Sequence, residues 1–139
     1  MNKIILRADA VFVGLAGSFG VASDLTSYLA GKGVFGNIFH QNPLVISSVE
    51  AHMLGITTAV LFWYFSSKLA TTAGNQLAIA FHLICGISNV VWFDIFYLTN
   101  MPTQGFVVTI LHFFFVALNG LVVFSGAVQS RELSTGMRG

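Results

Sequence analysis

GFVVTILHFFFVALNGLVVFSGAV, residues 105–128, holds no charged side chain. As a helix rising about 1.5 Å per residue, it is long enough to cross a bilayer core of about 30 Å. Three further stretches read the same way: Ile4–Leu29, Leu44–Phe65 and Leu77–Leu98. The chain is therefore expected to be an all-α polytopic membrane protein. Residues 1–139 form a single four-span domain, with a polar and mobile tail over 129–139. Gly31–Lys32–Gly33, Asn42–Pro43, Ala70–Asn75 and Asn100–Met101–Pro102 mark the connections. Links this short favour antiparallel neighbours, hence an antiparallel four-helix transmembrane bundle.

Composition supports this reading. Hydrophobic residues make up 55% of the chain and charged residues 8%, against about 25% charged in soluble domains. The net charge of +1 and the lack of a basic patch exclude nucleic acid as a partner. The single cysteine, Cys85, excludes an internal disulfide and reads as a small apolar filler. Met1–Asp24 has the basic start and the small residues of a secretory signal, but Arg7 and Asp9 interrupt its apolar stretch. It is read as the first span. Lys3, Arg7, Lys68, Arg131 and Arg138 lie on one side of the predicted spans and Lys32 alone on the other. Positive charge inside then places both termini in the cytoplasm.

Gly14, Gly17 and Gly20, with Ala10, Ala16 and Ser18, give the first span a small-residue surface suited to close helix approach. A faint repeat joins the halves. Gly17, Asp24 and Tyr28–Leu29 match Gly86, Asp94 and Tyr97–Leu98, while Pro43 and His52 match Pro102 and His112. The pattern predicts two hairpins of the same orientation, related by an axis along the membrane normal.

Ionisable residues within spans are functional hypotheses by default. Asp24, Glu50, His52, Asn89, Asp94 and His112 all fall in the predicted outer half of the bilayer. Asp24 and Asp94 lie near enough to the outer ends to be wetted. Arg7 and Asp9 are expected to pair or snorkel at the inner interface, and His82 and Asn119 to hydrogen-bond neighbouring helices. A carboxyl beside an imidazole can exchange protons near neutral pH. Glu50, His52 and His112, with Asp94 setting their ionisation, are the candidate catalytic residues. Glu50 and His52 point about 200° apart on a helix, so only one of them can face the bundle axis. Asp24, Asn89, Trp63, Trp92, Phe93 and Phe114 are the candidate ligand-binding residues, by polarity or by aromatic character.

These residues lead to one expected function and two alternatives. The first is binding of a lipophilic small molecule, with isomerisation or cyclisation by acid/base chemistry and no cofactor. The second is a haem b or divalent metal protein using His52 and His112, which fall at similar depth. The third is a non-catalytic assembly or ion-conducting subunit, acting as a homo-oligomer. The bilayer is the surrounding partner in every case.

Overall fold

The computed structural model describes residues 2–68 and 71–136, with side-chain environments for 3–68 and 72–127. The described residues are helical, with no strand among them: α1 (Asn2–Ala30), α2 (Gly36–Phe39), α3 (Val45–Ser67), α4 (Thr71–Val91), α5 (Asp94–Leu98) and α6 (Pro102–Gly136). Four of these, α1, α3, α4 and α6, are long and apolar enough to cross a membrane. They form the expected four-helix bundle. Leu15, Phe19, Leu54, Ile84, Ile110 and Phe124 are among many large apolar side chains turned outward, as a lipid-facing surface requires.

The bundle is built from two hairpins. α1 packs chiefly on α3, and α4 on α6. The seam of α1 is regular: Leu6, Ala10, Val13, Gly17, Gly20, Asp24 and Ser27 are all buried. Their alternating spacing of four and three residues is that of knobs-into-holes packing. Gly55, Ala59, Phe62 and Ser66 of α3 face this seam. A side chain at Gly17 would press within 2.8 Å of the His52 carbonyl oxygen. The small residues therefore serve close approach of α1 and α3, where lipid offers no hydrophobic drive.

Two expected boundaries shift. The third span runs over Thr71–Val91, not 77–98. Its polar start is packed into the bundle: Asn75 is fully buried, and a Cβ at Gly74 would meet Leu6 and Phe65 at 2.7 Å. The segment placed at the end of that span instead turns at Trp92–Phe93 and forms the separate helix α5. The fourth helix does not stop at Val128 but continues to Gly136, because residues 129–135 contain no glycine or proline to break it.

The packed core sits at the end of the bundle that holds the N-terminus of α1. Leu6, Ala10, Val13, Ala59, Phe62 and Ala78 form it, with Phe12, Phe65 and Phe81 at its edge. At the opposite end the hairpin connections close over the bundle. Gly31, at φ +62°, ends α1 and donates its N–H to the Ser27 carbonyl, a left-handed cap that glycine adopts without steric cost. Asn42 Oδ1 accepts the Leu44 N–H at 3.0 Å ahead of α3.

Candidate functional site

Asp24 lies on the buried seam of α1 and Asp9 one position off it, beside Ala10, and both side chains are fully buried. Fifteen residues apart, they are separated by about 22 Å along the helix. Each carboxylate meets a histidine from another helix, and the two meetings differ.

Asp9 reaches across to the second hairpin. His82 Nε2 of α4 lies 2.6 Å from Asp9 Oδ1, and Asn119 Nδ2 of α6 donates to Asp9 Oδ2 at 3.0 Å. The other ring nitrogen of His82, Nδ1, lies 2.8 Å from His112 Nδ1. Asp9, His82 and His112 thus form one hydrogen-bonded chain, buried at the carboxylate end and half-buried at His112. His82 also stacks on Phe115, with ring centroids 5.1 Å apart, which fixes its plane. With Asp9 ionised, His82 Nε2–H donates to it. A single hydrogen then lies between the two Nδ1 atoms, whichever ring carries it.

Asp24 stays within the first hairpin. Its Oδ2 lies 2.9 Å from His52 Nδ1 of α3, and the His52 side chain is 35% exposed. Gly20 makes this possible, because a Cβ there would run into the His52 ring. Asp24 Oδ1 is buried with no hydrogen-bond partner among the described residues.

Both assemblies border one cavity of about 620 Å³ between the hairpins. Gly17, Gly20 and Asp24 line it from α1, His52 and Gly55 from α3, Cys85 and Asn89 from α4, and His112 from α6. Phe12, Phe35 and Phe81 supply aromatic wall, and Val34 and Met101 come from the connections. His52 and His112 therefore enter the same space from different hairpins. Each has its Nδ1 engaged behind it, and its Nε2 makes no such bond among the described residues.

No protein family, curated protein or solved structure matches the chain.

The candidate residues divide sharply. His52, His112, Asp24 and Asn89 line the cavity together. Glu50 is exposed on α3 and lies outside it, on the side of the helix turned away from His52. Asp94 is exposed in the first turn of α5, not in a span, and does not reach the histidines. Trp63 lies beneath the Arg7 guanidinium, 5.3 Å from ring centroid to charge. Trp92 is exposed, Phe93 packs on Phe106 with centroids 4.6 Å apart, and Phe114 turns outward. None of these four aromatics borders the cavity. Arg7 does not pair with Asp9; its Nε–H donates to Ser66 Oγ at 3.4 Å.

Asp9 and His82 are the members that sequence reasoning set aside. Proximity to the N-terminus suggested an interfacial Asp9. The signal available was its place next to the four-three stripe of α1, one position before Ala10. Among the described residues, no group of three or more His, Cys, Asp or Glu side chains is arranged to hold a metal ion.

Proposed function

We propose that this integral membrane protein binds a lipophilic small molecule in the cavity between its hairpins and exchanges protons with it through His52 and His112. The observation that carries the reading is the pairing of these two imidazoles across one largely apolar space, His52 backed by Asp24 and His112 backed by His82, which in turn meets Asp9. Ligand sites of this size are usually apolar with a few convergent polar groups. A histidine whose Nδ1 is held by a carboxylate presents Nε2 as an oriented acid or base.

His112 serves one wall of the cavity in this reading. A proton taken up at its Nε2 is matched by transfer of the Nδ1 hydrogen to His82, so positive charge comes to rest beside Asp9. His52, held by Asp24, serves the other wall. Removing a proton at one position and returning one at another is the chemistry of isomerisation or cyclisation. The termini are assigned to the cytoplasmic side, from the five-against-one distribution of basic residues.

The test is native mass spectrometry of the purified protein, followed by incubation in deuterated water. A bound lipophilic molecule is expected to gain deuterium at carbon, and to gain far less in His112→Gln. An empty cavity in every preparation, or exchange unchanged by loss of both histidines, overturns the reading.

One observation favours a second reading. An imidazole with Nδ1 bonded to an outer partner and Nε2 free is the usual posture of a metal-bound histidine. His52 and His112 both adopt it, as axial haem ligands would. A haem absorption band in the visible spectrum of the purified protein, lost in His52→Ala, would select that reading over the first.

A further inference from the structure

Among the described residues, the titratable side chains on the cavity wall are Asp24 from α1, His52 from α3, Cys85 from α4 and His112 from α6, with no lysine or arginine. Asp24 has one oxygen held by His52, and its other oxygen has no partner among the described residues. A buried acceptor left unsatisfied is expensive, more so when it is charged. The group that best completes Asp24 therefore brings both a hydrogen-bond donor and positive charge.

The rest of the wall suits the same group. Phe12, Phe35 and Phe81 border the cavity, and aromatic faces attract a desolvated cation. An anionic ligand, such as a fatty acid or a phosphate ester, would meet a carboxylate with no fixed cation to offset it.

Resting on the cavity reading given above, we infer that the ligand is a lipophilic amine bound as its ammonium. One N–H donates to Asp24 Oδ1, and the apolar body extends along the phenylalanines toward His112. Asp24 is then the anchor, and His112 is left to act on the far end of the molecule.

The test uses the full chain in phosphatidylcholine nanodiscs, with protein-free discs as reference. Three probes share one apolar body: 4-phenylbutylamine, 4-phenylbutan-1-ol and 4-phenylbutanoate. Calorimetry is expected to show the amine binding about tenfold or more tighter than the alcohol, the scale of one charged hydrogen bond. The carboxylate is expected to give no heat above reference. Asp24→Asn is expected to erase the preference for the amine while alcohol binding persists. An alcohol that binds the unaltered protein as tightly as the amine overturns the inference whether or not the variant folds. Ser88 of α4 also lines the cavity; if that alcohol binding is abolished by Ser88→Phe, which fills the space, the cavity reading stands without the amine. Absence of binding by all three probes overturns both.

Discussion

His82 Nδ1 and His112 Nδ1 stand 2.8 Å apart, so two imidazoles share one hydrogen. The consequence is a coupling between the cavity and a carboxylate that does not touch it. When His112 Nε2 accepts a proton, the shared hydrogen moves to His82 and the charge pairs with Asp9. When His112 Nε2 loses that proton, the hydrogen returns. The cavity face of His112 thus alternates between donor and acceptor without a change of rotamer.

Asp9→Ala removes the carboxylate that both His82 and Asn119 address. Loss of about 3–5 kcal/mol is expected, the scale for stripping one partner from a buried charged pair. Asp9→Asn keeps an acceptor for His82 and is expected to lose less. Denaturant unfolding in detergent micelles measures both, and equal stability of the two variants would refute the arrangement.

Gly20→Ala places a methyl group inside the His52 ring position. The ring must leave Asp24, with a cost of about 1–3 kcal/mol for overpacking. Gly120→Ala is the control, since its Cβ meets nothing within 4 Å; it is expected to be neutral or to stabilise by up to about 1 kcal/mol through helix propensity. Nitrogen NMR of the histidines reads the outcome, because only Gly20→Ala should shift the His52 Nδ1 resonance.

Glu50→Gln and Asp94→Asn alter exposed side chains outside the cavity. Both are expected to change stability by less than about 0.5 kcal/mol and to retain any bound small molecule. Loss of that molecule in Glu50→Gln, with folding intact, would return Glu50 to the site.

Cys85 is the only cysteine and forms part of the cavity wall, so it reports occupancy. A small lipophilic maleimide is expected to label it more slowly when the cavity is filled by ligand. Equal labelling rates with and without ligand would place the ligand elsewhere.

The sequence disclosed the fold more fully than the site. Span length and charge poverty sufficed for four helices, because a bilayer sets a fixed length that few other environments demand. Trp92–Phe93 misled: an apolar, aromatic dipeptide extends a hydropathy pattern whether the chain continues as helix or turns. His52, His112, Asp24 and Asn89 were recoverable because depth along a helix can be counted from its ends. Glu50 and Asp94 were not separable from them by depth, since depth carries no information on rotation about the helix axis. Rotation was written in the four-three stripe of α1, which holds Asp24 and borders Asp9. Aromatic residues misled for a related reason, since Trp63, Trp92 and Phe114 suit a lipid boundary as well as a pocket.

The bonds from Asp9 to His82 and Asn119 run from one hairpin to the other. In hydrocarbon, two apolar hairpins have little reason to prefer one sliding position or one partner over another. Three buried polar side chains that meet across the hairpins at one alignment remove that freedom. They act as a lock whose teeth engage in a single alignment, and the open space beyond them is the shape left over once the lock has closed.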